Sequence, residues 1–216
     1  MKTILCYGDS NTYGYNPNVG RRSRYHKDKR WTTILQNLLG EDFEVIPEGL
    51  NGRTTAYDRP GFPWKNGLLP LASILGSHKP LDYVILMLGT NDCNIEMNLT
   101  SQQIADGMEQ LILTTREMGI IQQERIPNII VIPPAPILDN YKESPFVYEL
   151  NDESVDKSHE IDQLYSDLAE RYDCLFLSAY KNGVEVSMLD SEHLTENGHK
   201  QLAQAIFKLI IDNERK

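Results

Sequence analysis

The chain has 216 residues, enough to bury a substantial core within one α/β domain. Its 31 acidic residues outnumber 21 Lys and Arg, giving a net charge of −10, which argues against a general nucleic-acid binder with a basic face. Hydrophobic content of 40% excludes a disordered chain, and the scattered Cys6, Cys93 and Cys174 exclude a disulfide scaffold or a cysteine-rich zinc site.

In chain order, short apolar runs at Thr3–Tyr7, Phe43–Ile46, Tyr83–Leu88, Ile129–Ile132 and Cys174–Leu177 read as strands. They are continuous rather than alternating, as expected when both faces of a parallel sheet are covered. Helical patterns fall between them. Trp31–Leu39 and Leu68–Gly76 are short. A longer helix follows a capping box at Thr100 and Gln103, another covers Val155–Tyr172, and a last one is capped by Thr195. No repeat or linker divides the chain, so a single domain over residues 1–216 is expected. The run Ile4–Tyr7, cut off by Gly8 and Asp9, is too short for a signal-peptide core or a membrane span; a cytoplasmic location with no membrane partner is expected.

Strand–helix alternation predicts an α/β fold with a parallel sheet and helices on both faces. Ligands in such sheets bind beyond the carboxyl ends of the strands. Those ends carry Gly8-Asp9-Ser10-Asn11, Gly49-Leu50-Asn51-Gly52 and Gly89-Thr90-Asn91-Asp92, and the last strand leads to Asp190-Ser191-Glu192-His193. Ser10 is a candidate nucleophile, because a hydroxyl becomes nucleophilic once a base takes its proton. His193 is the candidate base, and Asp190, three residues earlier, can accept its Nδ1–H and fix the tautomer. The N–H groups of Ser10 and Gly52 and the side-chain amide of Asn91 are candidate oxyanion donors. Each residue also has an ordinary reading as a turn or cap residue; their joint placement at matching strand ends favours chemistry. Asp9 and Asp92 are expected to bond loop backbone, His199 to be structural and Cys93 to be packed.

The blocks Gly8-Asp9-Ser10, Gly52, Gly89-Thr90-Asn91-Asp92 and Asp190-x-x-His193, in this order, resemble the SGNH (GDSL-type) hydrolases. Arg30-Trp31-Thr32, Glu48-Gly49-Leu50, Arg53-Thr54-Thr55 and Met87 to Asp92 resemble the arylesterase/acyltransferase branch, which includes a mycobacterial enzyme that transfers acyl groups to alcohols in water. The resemblance implies a three-layer flavodoxin-like fold with a five-stranded parallel sheet. It also implies a Ser10–His193–Asp190 triad, an oxyanion hole from Ser10, Gly52 and Asn91, and neither metal nor cofactor. Asn11 stands in place of the usual leucine, and Tyr15 in place of an expected tryptophan.

The expected activity is therefore hydrolysis of short-chain or aryl carboxylic esters, with acyl transfer to alcohols as a variant. A carbohydrate acetylesterase and a non-catalytic binding module on the same fold are the alternatives. Asn11, Tyr15, Ile137 and Phe146 are expected at the substrate. Tyr57, Phe62 and Trp64 in one loop, and Tyr141 and Tyr148 in another, are open to reading as pocket walls or subunit contacts, and a homo-oligomer is expected. Arg21, Arg22, Arg24, Lys27, Lys29 and Arg30 form a basic stretch that reads as an anion-attracting rim, a subunit contact or a solvated loop.

Overall fold

A computed structural model describes residues 1–19 and 23–215. Five strands lie parallel in the order β2-β1-β3-β4-β5: β1 (Lys2–Gly8), β2 (Phe43–Gly49), β3 (Tyr83–Met87), β4 (Asn128–Val131) and β5 (Leu175–Phe176). The expected α/β architecture is the observed one. Strand β2 runs on through Pro47 to Gly49, beyond the expected end at Ile46. Proline is tolerated because β2 is an edge strand, where one side of the ladder needs no donor.

Side-chain alternation along the central strands divides the interior into two cores. Ile4 and Cys6 of β1 with Ile85 and Met87 of β3 pack under α2 (Trp31–Leu39) and α6 (Glu196–Glu214). Leu5 and Tyr7, with Val84 and Leu86, pack under α3 (Leu68–His78), α4 (Ser101–Gln123) and α5 (Asp152–Arg171). The sheet is thus apolar on both faces, which is why its strands read as unbroken hydrophobic runs.

Local signals set the helix ends. Thr100 Oγ1 accepts from Gln103 N at 3.2 Å while Gln103 Oε1 accepts from Thr100 N at 2.9 Å, the reciprocal cap expected for α4. Thr195 Oγ1 accepts from Gly198 N at 2.9 Å to start α6. Helix α5 begins at Asp152, earlier than Val155, because Asn151 and Ser154 form a second reciprocal cap. Helix α3 continues past Gly76 to His78. In α6, His199 is fully buried; its Nδ1 accepts from Trp31 N at 3.3 Å, tying α6 to the start of α2. Burial holds its pKa down at about 3, so the ring is neutral and structural.

Candidate active site

The site assembles at the carboxyl edge of the sheet. Gly8 ends β1 where a Cβ would lie 2.1 Å from Thr12 Oγ1 and 2.8 Å from the Met87 carbonyl oxygen, so only glycine lets the chain turn there. Asp9 caps the short helix α1 (Ser10–Tyr13) by accepting from Asn11 N at 2.9 Å. Ser10 is consequently the first residue of a tight turn, with its hydroxyl at the sheet edge and its N–H left over by the helix geometry.

A second loop meets Ser10 from the far end of the sequence. His193 Nε2 lies 2.8 Å from Ser10 Oγ, and His193 Nδ1 lies 2.8 Å from Asp190 Oδ2. All three residues are buried. Asp190 Oδ1 also accepts from His193 N at 3.2 Å and Glu192 N at 3.4 Å, which wraps the turn around the carboxylate. Ser191 adopts a left-handed φ of 70° within that turn. Ser144 Oγ donates to the Asp190 carbonyl at 2.7 Å, and Leu138 N donates to the Ser191 carbonyl at 2.9 Å, strapping the turn to the loop after β4. Burial alone would lower the His193 pKa, but the Asp190 hydrogen bond and the charges of Glu192, Asp190 and Asp9 outweigh it and raise the value above 6.5.

Gly52 and Asn91 complete the arrangement. Gly52 sits in the left-handed region at φ 77°, as a residue without Cβ can. Asp92 fixes this loop against the turn at Asn91–Cys93. Its carboxylate accepts from Thr55 N at 3.0 Å through both oxygens and from Thr55 Oγ1 at 2.6 Å. Asn91 Nδ2 donates to the Arg53 carbonyl at 3.1 Å and makes a long 3.4 Å contact with Asp9 Oδ2. Neither Ser10 N nor Gly52 N finds an acceptor among the described residues. Asp9 and Asp92 are both held by loop backbone, as their sequence context suggests. Burial pushes Asp9 up to about 6 and Asp92 up to about 7.

Ser10, Gly52, Asn91 and His193 line a cavity of about 320 Å³. Tyr15 and Phe146 stand on its wall, with ring centroids 4.2 Å and 5.8 Å from His193. Two other expected substrate contacts need correction. The Asn11 side chain is committed elsewhere: its Oδ1 accepts from Leu194 N at 2.9 Å and its Nδ2 donates to the Glu192 carbonyl at 3.2 Å, so it clamps the His193 loop onto the Ser10 turn instead of lining the cavity. Ile137 is 1% exposed and belongs to the core under α5.

Sequence reasoning missed the polar lining of Asn51, Arg59, Lys65, Glu149 and Glu192. Arg59 and Glu149 meet at 2.7 Å across 90 positions, a pairing with no local signature. Glu192 sat inside the Asp190–His193 block and could have been found by asking where the intervening side chains point. Within the basic stretch, Arg21 and Arg22 lie outside the described residues, Arg24 stacks on Tyr13 at 4.0 Å and Lys29 pairs with Glu196 at 2.5 Å. Trp64 and Tyr148 are exposed, whereas Tyr141 is buried. Cys93 is fully buried with its thiol pKa pushed up by burial. Among the described residues, no cluster of three His, Cys, Asp or Glu side chains could hold a metal ion, and no helix is long and apolar enough to cross a membrane.

A five-stranded parallel sheet carries serine, imidazole and carboxylate in series at its carboxyl edge, the arrangement that nucleophilic acyl transfer needs. The chain belongs to the GDSL-like lipase/acylhydrolase family, whose profile matches residues 6–201, and with it to the SGNH hydrolases. The aryl esterase of M. smegmatis is 34% identical, with a TM-score of 0.90 over 98% of this chain and 99% of that one. Est24, a carbohydrate acetylesterase from Sinorhizobium meliloti, is 32% identical, with a TM-score of 0.91 over 98% and 99% of the two chains. An acetylxylan esterase from Xylanibacter ruminicola is 24% identical over 222 residues covering 96% of this chain. This chain spans 42% of the length of that curated relative.

Proposed function

We propose that this chain hydrolyses short-chain or aryl carboxylic esters through an acyl-enzyme on Ser10. The observation that carries the reading is the unbroken series Ser10 Oγ to His193 Nε2 and His193 Nδ1 to Asp190, each link 2.8 Å long. His193 takes the Ser10 proton as the hydroxyl oxygen attacks the ester carbonyl. Asp190 holds the tautomer that leaves Nε2 free, and then stabilises the imidazolium. The developing oxyanion is received by the N–H groups of Ser10 and Gly52 and by Asn91 Nδ2, which exchanges its long contact with Asp9 for the stronger charge. Each such donor is worth about 3 kcal/mol in the transition state.

His193 next protonates the leaving alkoxide. Water, deprotonated by the same ring, releases the acid. An alcohol that reaches the acyl-enzyme before water gives a transferred ester by the same steps, which requires a cavity that keeps water scarce. A second reading, deacetylation of carbohydrates, draws support from the charged and amide side chains of Asn51, Arg59, Lys65 and Glu149 in the cavity wall and from the relatives that act on acetylated carbohydrates. Relative rates on acetylated saccharides and aryl acetates separate the two.

The direct test is intact mass after exposure to a fluorophosphonate. One phosphonyl adduct per wild-type chain is expected, with none on Ser10→Ala and very slow labelling of His193→Ala. Equal labelling of wild type and Ser10→Ala would remove Ser10 from the mechanism. A well-folded wild type that takes no label would favour a binding module.

A further inference from the structure

Two carboxylates, Asp190 and Glu192, stand beside the His193 ring and a third, Glu149, lines the same cavity; the protein treats them differently. Asp190 accepts from the ring and from two backbone N–H groups. Glu149 accepts from Arg59 at 2.7 Å and from Asn94 at 3.2 Å. Glu192 accepts no side-chain hydrogen bond from any described residue, although its side chain is only 13% exposed and lines the cavity. Its Oε1 stands 3.7 Å from His193 Nδ1. Burial pushes its pKa up to about 7, against the pull of His193 and with the repulsion of Asp190, Glu149 and Asp9 added. A carboxylate on the cavity wall with no protein hydrogen-bond donor is open to a donor that a ligand brings.

The position of Glu192 says which part of a substrate would supply it. Its backbone is pinned on both sides, by its N–H to Asp190 and by its carbonyl to Asn11, so the side chain shares the wall that carries His193. In acyl transfer the leaving oxygen must meet His193 Nε2, and the leaving alcohol therefore lies along this wall. The rings of Tyr15 and Phe146 flank it and offer apolar faces to carbon-bound hydrogens. Glu192 lines the cavity together with Ser10 and His193, so its carboxylate is available to a group carried near the ester oxygen.

Resting on the reading of Ser10 as nucleophile, we propose that Glu192 determines specificity for the leaving alcohol. Its carboxyl group accepts a hydrogen bond from a hydroxyl carried next to the ester oxygen, so esters of diols and polyols are preferred to esters of simple alkanols.

The test compares kcat/KM for 2-hydroxyethyl acetate and glycerol monoacetate with that for propyl acetate. Wild type is expected to prefer the hydroxylated esters by about tenfold, the effect of one hydrogen bond to a charged or partly charged acceptor. Glu192→Leu is expected to bring that ratio to about one, and Glu192→Gln, which keeps an acceptor, to leave it in between. The ratio cancels any effect that acts on both substrates through His193. A wild-type ratio near one, or a ratio unchanged in Glu192→Leu, overturns the proposal, even if all rates fall together. If wild type hydrolyses none of these esters, it is the Ser10 reading that fails. Calorimetric binding of glycerol monoacetate to Ser10→Ala and to Ser10→Ala/Glu192→Leu then decides separately: about tenfold weaker binding to the double variant supports Glu192, and equal binding refutes it.

Discussion

Replacing Asn11 by alanine tests how the two halves of the site are held together. The amide joins two loops through Leu194 N at 2.9 Å and the Glu192 carbonyl at 3.2 Å, the first bond buried and the second part-buried. A hydrogen bond contributes about 1 kcal/mol net, and a buried group left without its partner costs up to about 3 kcal/mol. Asn11→Ala strands one buried donor and one carbonyl, so a loss of about 2–4 kcal/mol is expected, or roughly 5–15 °C in Tm for a domain of this size. The effect on turnover is separate. Asn11 does not line the cavity, so KM for an aryl acetate should change by about twofold or less. The bonds it supplies set the position of the residues on either side of His193, and loosening that ring relative to Ser10 Oγ should lower kcat by about ten- to a hundredfold. Thermal melts and steady-state kinetics on the same preparation measure both. A variant that melts and turns over like wild type would refute the clamp; a rise in KM with kcat intact would mean that Asn11 touches substrate after all.

Two further outcomes follow from the same geometry. His193 works as a base only when neutral, so kcat/KM should rise with pH along a limb set by its pKa, which lies above 6.5. The Asp190 hydrogen bond helps raise that pKa; Asp190→Asn should therefore move the limb to lower pH while cutting the plateau by about a thousandfold or more, and a limb that stays in place or moves upward would contradict the assignment. Asp92→Ala removes three bonds from Thr55 and releases the Gly52 loop. Stability should fall by about 2–4 kcal/mol, and kcat should fall more than KM rises, measured by denaturant melts and kinetics; wild-type kcat in a folded variant would separate that loop from the oxyanion donors.

Much of this was legible in the sequence because the signals are local. Continuous apolar runs marked the strands, Thr100 with Gln103 and Thr195 marked helix starts, and small polar residues just after strands marked the site. Asn11 and Ile137 were misplaced for one shared reason: a side chain next to a catalytic block points either into the cavity or into the scaffold, and only its distant partners decide which. For Asn11 those partners are Glu192 and Leu194, and for Ile137 they are the residues of the core under α5. The wall built from Arg59, Glu149 and Lys65 was invisible for the same reason, since its members come from segments far apart in the chain.

The hydroxyl of Ser10 and the ring that would take its proton are separated by 183 positions in the chain. During synthesis, the serine emerges 183 positions before the histidine, and the clamp through Asn11 has nothing to grip until the loop before α6 arrives. A nascent chain therefore carries an inert alcohol until that loop has been made. Reactivity toward esters or covalent probes should switch on all at once, when α6 docks on α2 and brings the His193 loop home. The probe that labels Ser10 would then report completion of the fold, and stalled or C-terminally clipped chains would stay silent in the same assay.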